Sequence, residues 1–404
     1  MSEETQSRQA IRFAVNPSSV AQQELYHLLA QRFEFKYPNV KVKVLPQTLE
    51  AHKQRVINVC NGVVTDVDIM LAYAGTQLSN LIQCEKLAAL DSLWSEQQLG
   101  ERFPVSIQSV VRRNKHYFAI PMAYYQWGIY YRKSLFTQWN ISPPHDWAEF
   151  VAVIQRLHEH AITPLSFSGG SSWSTLAWFD YLTLRLLGRE HYLALLTGSA
   201  PFNSPQVIDV LQHWLQIIQL GAFDPIHAPL TWNGILPFFY RSKIAMMLNG
   251  NFFLAHVPES IKADIGFFPF PRLKTDMPRY EDAPTDVAVA LKAAIDKPYV
   301  KEFMLFLAEL DTQTFLAEYV GKIAPHNDFK PRDDFFLATG AEHLANADGL
   351  VQYFDRETNV EFTRAAGAIF VEFMQQSINV KETAEALEQA REKYLAPGII
   401  QKND

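Results

Sequence analysis

The chain is poor in cysteine, in charge and in long apolar runs. Its 404 residues include only 2 Cys, 17 Gly and 22 Pro, and 20% are charged. Two cysteines exclude a disulfide-stapled scaffold and any four-cysteine zinc site. The glycine and proline counts exclude collagen-like and linker-dominated chains. No stretch is apolar enough to span a bilayer. The nearest, the charge-free run 161–179, carries five Ser, two Gly, two Thr and a Pro. Nor is there an excess of positive charge: 36 Lys and Arg against 43 Asp and Glu leave a net charge of -7. That balance disfavours nonspecific nucleic-acid or anionic-membrane binding. Walker loops, G-x-G-x-x-G and G-x-S-x-G are all missing, which removes the usual nucleotide and serine-hydrolase signatures. What is present is a 48% hydrophobic chain, long enough for two or three domains with real cores.

The first 90 residues alternate strand and helix. Residues 11–15 read as a strand, and Ser19-x-x-Gln22 resembles a capping box ahead of the stripe Leu25, Leu28, Leu29 and Phe33. In 40–45, Val40, Val42 and Val44 alternate with Lys41 and Lys43, the pattern of a half-buried strand. A helix over 48–60, a buried strand over 67–71 and a helix from about Thr76 follow. This order predicts an α/β layer with parallel strands, whose ligands sit in loops beyond the carboxyl ends of strands. Those loops are Asn16-Pro17-Ser18 and Tyr73-Ala74-Gly75-Thr76. Further along, Ser204-Pro205 starts a helix with Ile208, Leu211, Leu215 and Ile218 buried, and Gly221 closes it. Residues 297–310 and 380–395 also have helical patterns. Cys60 and Cys84 fall on two predicted helices and read as free buried thiols, with pairing left open.

Charge thins out in the middle of the chain. Residues 161–258 hold eight charges (Asp180, Arg185, Arg189, Glu190, Asp209, Asp224, Arg241 and Lys243) and four of the eight tryptophans. Loop-like pieces there mix aromatics with neutral polar groups: Ser168–Ser174 around Trp173, Thr231-Trp232-Asn233-Gly234, and Asn249-Gly250-Asn251-Phe252-Phe253. A sugar ring stacks its C–H faces on aromatic rings and hydrogen-bonds through its hydroxyls, so this mixture suits a saccharide. An uncharged buried core with Ser/Gly turns would give the same composition.

Catalytic and metal signatures are weak. His158-Glu159-His160 would point its two histidines about 200° apart on a helix, which suits a surface cluster and not a zinc site. Tyr124-Tyr125 and Tyr130-Tyr131 could ligate ferric iron. Adjacent strand residues face opposite ways, however, so a strand crossing between domains is the better reading. No pair of acids stands out for glycoside hydrolysis.

Taken in order, several blocks resemble the sugar-binding branch of the extracellular solute-binding proteins of ABC importers, which includes maltose-binding protein. Asp66-Val67-Asp68-Ile69 matches the family's Asp-Val strand, and 87–94 its following Leu-Asp segment, with Lys86 where Gly is usual. Residues 121–136 and 141–150 resemble a crossing strand and the Pro-Pro-x-Thr-Trp signature, with Asp146 in the Thr position. Residues 239–252 resemble the block ending at a ligand-stacking Trp, with Ser242 for Gly and Phe252 at the Trp position. Residues 266–271 and 321–327 resemble the second and third crossings. The similarity runs from about Ile11 to Tyr394.

The resemblance implies an α/β, periplasmic-binding-protein-like fold of two lobes joined by two or three crossing strands and closing on ligand like a hinged clamp. Each lobe would be a mixed or parallel sheet flanked by helices: 1–119 plus 277–323, and 120–276 plus 324–404. It implies noncatalytic binding of a neutral mono- or oligosaccharide in an interlobe cleft, for delivery to an ABC permease, by a monomer using no cofactor, metal or nucleic acid. The expected ligand contacts are Asn16, Ser18, Tyr73, Thr76, Tyr125, Gln126, Trp127, Ser171, Trp173, Trp232, Asn249, Asn251, Phe252 and Asp286, the last as carboxylate acceptor for a pair of hydroxyls. Alternatives are an acidic or phosphorylated sugar, a polyol or a metal on the same clamp, a sensor-kinase partner, or a carbohydrate-active enzyme. The implied location is periplasmic, or lipid-anchored outside the cell. As MSEETQSRQ has no apolar core, a leader is expected ahead of about Ser7.

Overall fold

A computed structural model describes residues 9–17, 20–63, 66–331 and 334–395. In chain order the strands are β1 (Gln9–Val15), β2 (Val40–Pro46), β3 (Ile69–Tyr73), β4 (Arg112–Arg113), β5 (His116–Tyr117), β6 (Ile120–Tyr124), β7 (Trp127–Arg132), β8 (Thr163–Leu165), β9 (Ile244–Gly250), β10 (Ile265–Phe268), β11 (Tyr280–Asp282), β12 (Thr285–Ala290) and β13 (Gly349–Val351). The chain divides into two compact units, 1–125 with 284–346 and 126–283 with 347–404.

The first unit is built on a five-stranded sheet ordered β2-β1-β3-β12-β6. β1 pairs in parallel with β2 and β3, as the strand–helix alternation requires, while β12 runs antiparallel to both β3 and β6. Val40 and Val42 are buried and Lys41 and Lys43 exposed, as their alternation predicts. β3 buries Ile69–Ala72 in a continuous run, as a central strand of the sheet does. The helix Val20–Lys36 buries Leu25, Leu29 and Phe33, whereas Ser19, its expected cap, lies outside the described residues.

The cysteines correct the expectation of two free thiols. Cys60 ends the helix Leu49–Cys60, Cys84 follows the helix Thr76–Gln83, and the two form a disulfide with Cα atoms 5.4 Å apart. Parallel crossovers bring these two helix ends together, a neighbourhood that a sequence separation of 24 does not reveal.

The second unit has a four-stranded sheet ordered β10-β7-β9-β8, with β7 antiparallel to β9 and β10 and β8 parallel to β9. Much of the low-charge region is core here. The helix Trp173–Leu186 buries every residue from Thr175 on, and Trp214 is fully buried. Ser204 caps the helix Pro205–Gln219 by accepting from Val207 N at 3.3 Å, and Gly221 takes φ 72°. The buried stripe is Val207, Val210, Leu211, Trp214, Ile217 and Ile218, so Ile208 and Leu215 are only half-buried. The helix expected over 297–310 splits into Val300–Leu307 and Leu310–Val320.

The sequence reading set the joints after 119, 276 and 323, whereas the units change over after 125, 283 and 346. The main difference is 324–346. The helix Phe335–Ala345 packs on the helix Val105–Val111, Ser106 Oγ donates to Leu344 O at 3.1 Å, and Asn327 N donates to Arg102 O at 2.8 Å. These bonds fasten the segment to the first unit.

Candidate functional site

In the first unit the candidate side chains gather at the carboxyl ends of the parallel strands and the start of β12. β12 runs against β3 and β6, so its start lies beside their carboxyl ends. Asn16 follows β1, Tyr73 ends β3, Asp286 pairs with Tyr73 across β12, and Tyr125 follows β6. Asn16 Nδ2 donates to the Tyr73 hydroxyl at 2.7 Å, and Tyr73 N donates to Gln77 Oε1 at 2.6 Å. Gly75, at φ 88°, turns the chain into the helix that Thr76 opens, a conformation few side chains tolerate. Ser18 lies outside the described residues.

Asp286 is already paired with a cation. Lys322 Nζ reaches Asp286 Oδ2 at 2.5 Å and lies 4.9 Å from the centre of the Tyr125 ring. Burial alone would lower the lysine's pKa. The charge of Asp286, with Tyr125 and Tyr26, outweighs that and holds it above the ordinary range. Lys322 was missed because nothing within 321–327 marks its side chain as reaching across β6 to β12.

In the second unit four predicted aromatics form one cluster. Trp173 lies 6.4 Å from Trp127, 5.9 Å from Trp232 and 6.1 Å from Phe252, centroid to centroid. Phe252 also meets Trp127 at 5.7 Å and Trp232 at 5.8 Å. Element ends place them: Trp127 opens β7, while Trp173 and Trp232 each open a helix. Gly250 permits the approach of Phe252, since a Cβ there would run into the Phe252 ring and crowd Trp127 at 3.1 Å. A fifth ring, Tyr353, stacks on Trp127 at 4.6 Å and donates its hydroxyl to the Trp173 carbonyl. Its sequence neighbours Asp355, Arg356 and Glu357 hid it from any search for low charge.

The polar groups of this unit divide into two kinds. Ser171 Oγ accepts from Trp232 N at 3.0 Å, and Asn249 Oδ1 accepts from Gly250 N at 3.0 Å, so both orient backbone. Asn249 also lines a small cavity with Ser168, Ser174, Trp178 and Trp232. Gln126 and Asn251 differ. Asn251 N donates to Gln126 O at 2.8 Å, yet among the described residues neither side-chain amide has a hydrogen-bond partner, at 0% exposure for Gln126 and 2% for Asn251. Buried amides are normally satisfied, and leaving one unmade costs about 1–3 kcal/mol. These two amides follow one another in space through the Asn251 N–Gln126 O bond, and each is next in sequence to a ring of the cluster, Trp127 and Phe252.

Behind Tyr353, Asp180 Oδ2 accepts from Phe354 N at 3.0 Å. Burial, and then the charges of Asp355 and Glu357, push the Asp180 carboxyl well above its ordinary range against its hydrogen bonds. Burial and Asp180 do the same to Asp282.

Three comparisons bear on this arrangement. A family model described as bacterial extracellular solute-binding protein matches residues 16–314. An ABC transporter extracellular-binding protein of Pyrococcus horikoshii is 24% identical over 322 residues, 78% of this chain and 71% of that one. The multiple sugar-binding protein of Streptococcus mutans is 25% identical over 212 residues, 51% of this chain and 50% of its own length. Among solved structures, the bacterial solute receptor AcbH, described as exclusively preferring β-D-galactopyranose, has a TM-score of 0.89 at 20% identity. That likeness covers 96% of this chain and 100% of AcbH. It establishes the fold as periplasmic-binding-protein-like.

Proposed function

The chain belongs to the bacterial extracellular solute-binding protein family, and from that membership we propose that it binds a neutral mono- or oligosaccharide without chemical change. The bound sugar is delivered to the membrane permease of an ABC importer. The observation that carries the saccharide reading is the cluster of Trp127, Trp173, Trp232, Phe252 and Tyr353 together with the buried amides of Gln126 and Asn251, next in sequence to Trp127 and Phe252 and without a hydrogen-bond partner among the described residues. Aromatic faces take the C–H faces of a pyranose, and its hydroxyls complete the amides. Ser171 and Asn249 hold the backbone under these groups. From the first unit, Asn16, Ser18, Tyr73, Thr76, Tyr125 and Asp286 are proposed as further contacts. Sugar-binding names among the relatives, and galactose in the AcbH description, support a sugar of this kind.

The protein works outside the cytoplasm as a monomer, in the periplasm or anchored by lipid. Its disulfide supports an oxidising compartment. An anionic ligand is disfavoured because Lys322, the buried cation at the strand ends, is already neutralised by Asp286. The test is thermal-shift screening with D-galactose, D-glucose, maltose and raffinose, beside galacturonate, glucose 6-phosphate, a polyol and ferric ion. A ligand at 100 times its Kd raises stability by about 2.7 kcal/mol. Stabilisation by a neutral sugar that is recovered intact supports the proposal. Shifts with anions or iron alone overturn the ligand class, and recovery of a cleaved sugar overturns the noncatalytic reading.

A further inference from the structure

Lys322 is held in place by the fold. The helix Leu310–Val320 ends at Gly321, in the left-handed conformation at φ 64°. Ile323 then joins the end of β6, with Tyr124 N donating to Ile323 O at 3.1 Å and Ile323 N to Tyr124 O at 3.3 Å. Between these fixed points Lys322 extends past β6 to Asp286 on β12. The two side chains are 11% and 15% exposed. A cavity of about 10 Å³, room for one water, lies against them and is also lined by Gln22, Tyr26 and Met122.

Other lysine pairs of the first unit either sit on its surface, as Lys36 with Glu309 and Lys301 with Asp296, or pin Asp68 with Arg12. A largely buried ion pair contributes little net stability, because both charges lose water. This one also lies at the strand ends where α/β sheets bind ligand.

We propose that Lys322 determines specificity: with Asp286 it forms an electrically neutral donor–acceptor pair that recognises two adjacent hydroxyls of the sugar and rejects sugar acids. The carboxylate accepts from one hydroxyl. The ammonium carries three N–H groups, and among the described residues its single acceptor is Asp286, so it donates to the other hydroxyl. A sugar carboxylate would meet Asp286 with no uncompensated cation to offset it. This inference rests on the neutral-saccharide reading above.

The test is calorimetric titration of the full chain and its variants with D-galactose, D-glucose, galacturonate and glucuronate, with circular dichroism as the folding control. Asp286→Asn is expected to weaken the neutral sugar at least about tenfold, the size of a lost charge-assisted hydrogen bond. It should also gain affinity for the matching uronate, whose carboxylate replaces Asp286 beside Lys322. Lys322→Met is expected to weaken the neutral sugar similarly and still refuse the uronate. Lys322→Arg should restore most of the affinity. If Lys322→Met does not fold, the double variant Asp286→Asn/Lys322→Met removes both charges and must show the same loss. Neutral-sugar binding within about twofold of the natural protein in folded Asp286→Asn and Lys322→Met would overturn the inference and leave the function standing. So would an Asp286→Asn variant that refuses uronates. A natural protein that binds none of the neutral sugars would overturn both.

Discussion

Trp173 is the residue on which the aromatic cluster turns, since it touches Trp127, Trp232 and Phe252. Trp173→Ala removes the shared face. We expect neutral-sugar affinity to fall roughly tenfold or more, the scale of one aromatic stacking contact plus its burial. Titration calorimetry reads the loss, and an unchanged Kd would place the sugar elsewhere. Asn251→Leu should weaken binding while holding or raising stability, because it replaces an amide without partners among the described residues by an apolar group of similar size. That opposite sign separates a ligand contact from a structural one. The neighbourhood of Trp173, Trp232 and Phe252 was legible in part because charge is scarce around them in sequence, although Trp173 and Trp232 open helices and 251–256 forms a 3-10 turn where loops were expected. Tyr353 and Lys322 were not, because each comes from a distant segment and its meaning lies in a three-dimensional neighbour.

Elements supply the precision that single residues lack. β7 and β9 pair Trp127 with Gly250, and that glycine lets Phe252 fold back against the Trp127 ring. Gly250→Ala is expected to displace Phe252 and weaken sugar binding with little change in secondary structure, read by titration beside far-UV circular dichroism. The disulfide joins two helix ends in the first unit, closing a segment of 24 residues. Chain-entropy arguments give roughly 3 kcal/mol for such a loop. Reduction, or Cys60→Ser with Cys84→Ser, should lower the unfolding midpoint in denaturant accordingly. An unchanged midpoint would mean that the helices hold each other without the bond. Strand and helix order in the first 90 residues was readable from the alternation of strand and helix patterns. Antiparallel β12 was not, because its pairing with β3 and β6 spans more than 150 residues of chain.

Across the molecule, two sets of buried acids give stability opposite pH dependences. Burial pushes Asp68 up, but hydrogen bonds from Arg12 and Lys297 outweigh it and hold it low, and Arg391 holds Glu388 low against burial. Lowered carboxylates contribute stability above their unfolded pKa of about 4, and it is lost as pH falls through the folded value. Asp180 and Asp282 are raised, so their contribution is full below about pH 4 and is lost as pH rises through their folded values. Asp282→Asn is therefore expected to raise the thermal midpoint near pH 8 and change it little near pH 4, by scanning calorimetry at both. A uniform shift would contradict that assignment. The family assignment was legible from the order of blocks along the chain, whereas the nature of the solute rests on side-chain chemistry that only the folded units assemble. The most direct test of that chemistry is calorimetric titration of the intact protein with D-galactose, D-glucose and maltose, followed by chromatographic recovery of the sugar. Saturable binding of a neutral sugar recovered unchanged is the predicted result. No binding by any neutral sugar, or recovery of a cleaved one, would contradict it.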